Sequence, residues 1–233
     1  MNNILQFIDL TTLSIDDTTA KVQQLCRKGI SKHVAAICVY PNFVSSAKNE
    51  LQGSGLKVAS VAGGFPAAQI PIDIKVAEVR YAVNNGADEI DMVLSVGKLI
   101  EGKEAEAAEE IRAIKEACGN ATLKCILETG ALKTPELIKL ASEIAINNGA
   151  NFIKTSTGKI SPAATIDASR IMLEVIKGHF VNTGERIGFK AAGGISTYED
   201  ACAYINLVKN VIGEEWLKPE LFRIGASRLV DNL

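Results

Sequence analysis

Apolar residues occur along the chain in two alternating patterns. Short runs rich in Val, Ile and Ala predict strands near residues 6–9, 34–39, 57–62, 89–94, 122–128, 152–155, 187–191 and 221–224. Brief β-branched runs of this kind are the signature of buried strands. The stretches between them carry apolar residues at helical spacing, with recognisable ends. Thr134-Pro135-Glu136 supplies an N-cap, a proline at the first helical position and an early acid. Leu137, Leu140, Ala141 and Ile144 then repeat, and Gly149 stops the helix. Thr197 followed by Asp200 reads as a capping box, with Ala201, Ile205, Val208 and Ile212 on one face. Ser14 and Asp17 are read as opening a further helix that closes near Gly29.

Strands separated by helices pair in parallel through crossovers. Eight such units in 233 residues predict a (β/α)8 barrel, an α/β fold of the TIM type, in a single domain over residues 1–233. An open doubly wound sheet is the alternative, weakened by the absence of G-x-G-x-x-G after the early strands. Residues 82–91 (AVNNGADEID) echo residues 145–154 (AINNGANFIK). Each is a helix end, a glycine stop and a strand. The echo places Asp91 and Lys154 at one depth of two alternate strands, which supply side chains to the same interior layer.

Composition narrows the function. Hydrophobic residues make up 47% and charged residues 22%, and 25 basic against 27 acidic side chains leave a net charge of −2. No basic excess favours nucleic acid or anionic lipid. Five cysteines, Cys26, Cys38, Cys118, Cys125 and Cys202, are an odd number without C-x-x-C, which predicts reduced thiols and a cytoplasmic location. The opening MNNILQFIDL lacks the basic start and long apolar run of a signal peptide, and no apolar run is long enough to span a membrane. The two histidines, His33 and His179, form neither a zinc motif nor a recognisable triad, so no metal is expected.

Lysines carry the candidate chemistry. Lys124, Lys154 and Lys190 sit in apolar strand contexts, TLKCIL, NFIKTSTG and IGFKAAGG. Lysine is rarely buried unless paired, and a single one reads as an outward side chain with its stem along the surface. Three in parallel strands point inward instead. A desolvated lysine beside a second cation loses its proton more easily, and a neutral amine forms a Schiff base with a carbonyl. Asp91, in EIDMV, needs a buried partner and suits either a salt bridge or proton transfer. Asp9 and Cys38 also end strands, and Cys38 by itself reads as a small buried hydrophobe. Gly158 with Lys159, Gly193 with Gly194, and Gly225 to Ser227 follow the last three predicted strands, where barrels often bind phosphate. Residues 97–104 (GKLIEGKE) nearly spell a P-loop, but Glu104 replaces the magnesium-binding hydroxyl.

These residues together resemble the deoxyribose-phosphate aldolases, class I aldolases on a (β/α)8 barrel. The resemblance runs from IDLTTL at Asp9 to GASRL at Ser227, through EIDMV, LKCILETG, FIKTSTG and FKAAGGI in order. It implies Lys154 as the Schiff-base lysine, Lys190 as the second lysine that lowers its pKa, and Asp91 as the proton-relay acid. It implies that Asp9, Cys38, Lys124 and Thr157 line the substrate pocket or support the lysines. Gly158, Lys159, Gly193, Gly194, Gly225 and Ser227 would hold phosphate. No cofactor beyond the covalent imine is implied, and the partners would be phosphosugar and aldehyde substrates, with a homodimer or higher homo-oligomer left open. Arg228 stands where some members have a second serine, and Ile195-Ser196 where some have an arginine. Members with a longer tail place a terminal tyrosine over the site, whereas the last tyrosine here is Tyr204. The rivals are another phosphosugar aldolase or transaldolase-like enzyme, a phosphosugar isomerase that would not need both lysines, and a non-catalytic phosphosugar-binding barrel.

Overall fold

The computed structural model describes residues 4–233, so the first three residues of the N-terminal segment read above lie outside it. Eight parallel strands close into a barrel: β1 (Ile8–Thr11), β2 (Ala36–Val39), β3 (Lys57–Ala62), β4 (Glu89–Val93), β5 (Thr122–Ile126), β6 (Phe152–Lys154), β7 (Gly188–Ala192) and β8 (Phe222–Ala226). Pairing of β1 with β8 completes the ring and excludes an open doubly wound sheet. The outer layer comprises α1 (Thr19–Lys32), α2 (Val44–Glu50), α3 (Ile72–Asn84), α4 (Val96–Ile100), α5 (Glu104–Cys118), α6 (Thr129–Leu132), α7 (Pro135–Asn147), α8 (Ile166–Thr183) and α9 (Tyr198–Ile212).

Most predicted strands coincide with observed ones, and the differences have local causes. Residues 4–7 form a 3₁₀ turn that buries Ile4 and Phe7, so β1 begins two residues later than expected. The strand expected to reach residue 128 ends at Ile126, because Glu128 turns into the left-handed region at φ 54°. Thr134 and Thr197 cap α7 and α9 as expected, and Asp200 completes the capping box. The Ser14–Asp17 reading is corrected. Thr18 is the cap of α1, while the Asp17 carboxylate closes a loop on Ser14 N and Thr12 Oγ1.

Alternation along each strand divides two interiors. Ile8, Leu10, Ile37, Val39, Val58 and Ile90 face the helices and form the main apolar core. The opposite faces point into the barrel. The pairing register, followed around the ring with one residue of advance per strand, returns to its starting residue, so the inward side chains form stacked layers. The lowest holds Ala36, Glu89, Phe152 and Arg223. Above it lie Asp9, Ala59, Lys124 and Lys190, then Cys38, Asp91, Lys154 and Gly225, and finally Thr11, Val61, Ile126 and Ala192. Asp91 and Lys154 therefore share a layer, as their sequence echo predicts. Gly188 makes room for Phe152 at the base, since a Cβ there would lie 2.3 Å from the ring.

Candidate active site

Barrels of this class usually fill their interior with branched apolar side chains. Here the middle layers are charged. Asp9, Glu89 and Asp91 meet Lys124, Lys154, Lys190 and Arg223, all buried. Alternation places Glu89 with Asp91, and Arg223 two residues before Gly225, on inward faces. A buried charge is tolerated only with partners, and these groups form one continuous network. Lys124 Nζ donates to Asp91 Oδ1 at 2.9 Å. Lys154 and Lys190 share the other oxygen, at 2.8 and 2.7 Å from Asp91 Oδ2. Lys190 also donates to Asp9, and Lys124 pairs with Glu89. Arg223 spans Asp9 and Glu89, its Nη2 lying 2.8 Å from Glu89 Oε1.

The network separates the three lysines electrically. Burial pushes the Lys154 pKa down; Asp91 opposes this and the Lys190 cation reinforces it, leaving a net lowering. Burial pushes Lys190 and Lys124 in the same direction, but Asp9 and Asp91 outweigh it and raise both. Burial alone would raise Asp91 and Asp9, yet Lys124 and the neighbouring cations hold both carboxyls well below their usual range. The site thus holds an ionised Asp91, protonated Lys190 and Lys124, and a Lys154 whose proton is less firmly held than theirs. Charge counting agrees: four strand cations face three strand carboxylates, and a neutral Lys154 balances them.

A cavity of about 430 Å³ opens above this network at the C-terminal ends of the strands. Its walls come from the loops after β1, β6, β7 and β8. Among the strand-borne charged groups, only Lys154 lines it. Gly158, Lys159, Gly193, Gly194, Gly225 and Ser227 all line it too, together with Thr157 and Arg228. Two glycines are required by space, and the first of them by backbone as well. Gly193 lies at φ 90° and a Cβ there would meet Ala163 Cβ at 2.6 Å; a Cβ on Gly225 would meet Ala192 Cβ at 2.9 Å. Lys159 Nζ donates to Leu13 O and ties the loop after β6 to the loop after β1. The start of α9 is occupied by its own capping box, with Ser196 N and Thr197 N both donating to Asp200 Oδ2.

Of the four residues expected to line the pocket or support the lysines, three do not line this cavity. Asp9 and Lys124 lie one layer below Lys154, fully buried, where they support the lysines instead of lining the cavity. Cys38 shares the Lys154 layer but is also buried away from the cavity wall. Burial chiefly, and then the Asp91 charge, raises its thiol pKa, so it is not poised as a nucleophile. Thr157 lines the cavity and donates its hydroxyl to Glu128, whose carboxylate also accepts from Thr157 N at 3.3 Å.

Sequence reasoning missed Glu128, Glu89 and Arg223. The first sits in the LETG turn, while the other two follow from counting in twos along EIDMV and FRIGA. The P-loop-like segment is structural: Lys98 lies 3.0 Å from both Glu106 and Glu110. It borders a larger groove of about 970 Å³ between the loop after β3 and α4–α5, which no charged group of the barrel interior reaches. Among the described residues, no cluster of three or more His, Cys, Asp or Glu is placed to hold a metal. No described helix is long and apolar enough to cross a membrane.

The chain is similar to known aldolases in sequence and in fold. The deoxyribose-phosphate aldolase of Homo sapiens is 45% identical over 245 residues, covering 97% of this chain and 77% of the relative. That of Bos taurus is 43% identical over 244 residues, with the same two coverages. A solved structure described as QR15, an aldolase, superposes with a TM-score of 0.85 at 31% identity, over 99% of this chain and 94% of the other. The tetrameric deoxyribose phosphate aldolase of Aeropyrum pernix shares the fold, with a TM-score of 0.78 at 24% identity over 98% of this chain and 88% of the other. A family model describing DeoC/LacD family aldolases matches residues 3–209, and the chain belongs to that family.

Proposed function

We propose that this aldolase reversibly cleaves 2-deoxy-D-ribose 5-phosphate to D-glyceraldehyde 3-phosphate and acetaldehyde through a Schiff base on Lys154. One observation carries the reading. Of the charged groups inside the described barrel, the one exposed to the cavity is the lysine whose proton is least firmly held.

Neutral Lys154 Nζ attacks C1 of the open-chain sugar and forms a carbinolamine. Loss of water leaves a protonated imine, which is an electron sink. The C3 hydroxyl gives up its proton, the C2–C3 bond breaks, and its electron pair moves into the imine to leave an enamine. The three carbons beyond the break depart as D-glyceraldehyde 3-phosphate. Protonation of the enamine at C2 and addition of water then release acetaldehyde and the free amine. Lys190, held as an ammonium, suits the acid role, and ionised Asp91 suits the acceptor role, with water linking them to the reacting oxygens. Asp91 Oδ2 lies 2.8 Å from the Lys154 nitrogen that would react.

The cavity wall opposite Lys154 suits the phosphate. Glycines at 158, 193, 194 and 225 keep side chains out of it, while Lys159 and Arg228 bring positive charge. Binding energy at that remote end orients C1 over Lys154, so it is spent on the reaction instead of on capture alone. No metal or cofactor enters this scheme. The five cysteines are unpaired, four of them buried, which suits a reducing cytoplasm. Exposed Ile74 and Tyr81, seven residues apart and so on one side of α3, offer an apolar face for association with a second copy.

Activity tests the reading. The protein incubated with 2-deoxy-D-ribose 5-phosphate should release acetaldehyde and glyceraldehyde phosphate in equal amounts. Lys154→Ala should abolish release while keeping an unchanged circular dichroism spectrum. Full activity in folded Lys154→Ala would overturn the assignment.

A further inference from the structure

We propose that Arg223 and Glu89, in the barrel layer farthest from the cavity, are positioning residues that set how readily Lys154 gives up its proton. The proposal rests on Lys154 being the amine that forms the imine. Neither residue lines the cavity; both instead border a separate depression of about 520 Å³ at the opposite mouth of the barrel. Their effect must therefore travel through the network.

The route is short. Arg223 holds one oxygen of Asp9 and both oxygens of Glu89. Its Nε donates to Pro219 O, which fixes the guanidinium at the barrel floor. Occupied in this way, Asp9 and Glu89 share Lys124 and Lys190 with Asp91 instead of drawing them away. Asp91 accordingly receives the nitrogens of all three lysines on two oxygens. It has little capacity left to hold a proton on Lys154. Without the Arg223 cation, Asp9 and Glu89 would pull Lys124 and Lys190 downward, and Asp91 would keep Lys154 as an ammonium.

The charge balance gives the same sign. The strand groups comprise four cations and three carboxylates when every one is ionised. Removing Arg223 balances the set with Lys154 protonated. Removing Glu89 deepens the positive excess and favours loss of the Lys154 proton. The other groups around Lys154 leave the sign intact. Cys38 from β2 is a thiol whose pKa burial raises. β3 contributes Ala59 and Val61. Glu128, beyond β5, bonds to Thr157. In the cavity wall, Lys159 bonds to Leu13 O, and Arg228 is exposed to solvent.

The test is the pH profile of kcat/KM for 2-deoxy-D-ribose 5-phosphate, with the rate of borohydride trapping by acetaldehyde as a second readout. The acid limb reports protonation of the attacking amine. Arg223→Gln should move it up by about one pH unit, the size expected for one charge at barrel distances. Glu89→Gln should move it down by a similar amount. The double variant, which removes one charge of each sign, should return it close to the unmodified protein. A merely structural role would lower rates without opposite shifts or mutual rescue. Arg223→Lys and Glu89→Gln carry the test if Arg223→Gln does not fold, the first leaving the limb in place and the second lowering it. Limbs that stay put, or both single changes moving the limb the same way, overturn the proposal. An absent Lys154 adduct in the unmodified protein instead overturns the Schiff-base reading itself.

Discussion

Lys154 and Lys190 donate to the same oxygen of Asp91, yet their surroundings give them different chemistry. Lys190 has a second carboxylate, Asp9, and Lys154 has the cavity. The distinction depends on where each ammonium sits to within a fraction of an ångström, which makes Gly225 informative. A Cβ at that position would lie 3.3 Å from Lys190 Cε and 2.9 Å from Ala192 Cβ. Gly225→Ala should therefore displace Lys190 and lower kcat, on the order of tenfold to a hundredfold. Steady-state kinetics on the folded variant check this, and an unchanged kcat would mean that Lys190 placement is not limiting. The catalytic candidates were legible because a lysine or aspartate within an apolar strand is conspicuous. Glu89 and Arg223 were not singled out, since their role appears only when inward faces are stacked around a closed ring. Glu128 was hidden in a turn whose left-handed backbone no local residue type announces.

At the scale of the elements, capping chemistry was readable and loop chemistry was not. Thr134-Pro135 and Thr197-x-x-Asp200 fix α7 and α9 through bonds to Leu137 N and Asp200 N. Ser14 and Asp17 carry residue types equally suited to a cap, but a loop bonded to Thr12 uses them. Its neighbour Thr18 caps α1 through Lys21 N. The capping box also bears on function. The capping box uses Ser196 N, Thr197 N and Asp200 N, and the cavity wall stops at Ser196, so a phosphate there draws its donors from the glycine turns and the flanking cations. Thr197→Ala should cost about 1 kcal/mol of stability, visible as a fall of about 2–4 °C in Tm. KM for the phosphorylated substrate should stay unchanged. A large rise in KM would show that the start of α9 takes part in binding after all.

The whole molecule encloses its charges in a closed ring, and its stability should follow their ionisation. Asp9 and Asp91 have folded pKa values below their unfolded ones. Their contribution is present above about pH 4 and drains as the pH falls below it. Lys124 and Lys190 have raised values, so their contribution is intact below about pH 10 and is lost at higher pH. Lys154 runs the other way, its lowered value adding stability as the pH rises toward 10. Urea midpoints measured across pH should form a plateau through neutrality, with a steep fall on the acid side. A midpoint at pH 3 equal to that at pH 7 would contradict the ionised network. The ring itself was legible from eight alternating units, because parallel strands with short crossovers leave few other closures. The charged content of its interior was only half legible, since which strands face one another depends on register.

The most direct measurement is reductive trapping. The protein is mixed with acetaldehyde, reduced with borohydride, digested and mapped by mass spectrometry. An N-ethyl group is expected on Lys154 and on no other lysine, with the modification absent from Lys154→Ala. A folded protein that carries no such adduct, or carries it on Lys190 or Lys124 instead, would rule out Lys154 as the Schiff-base lysine.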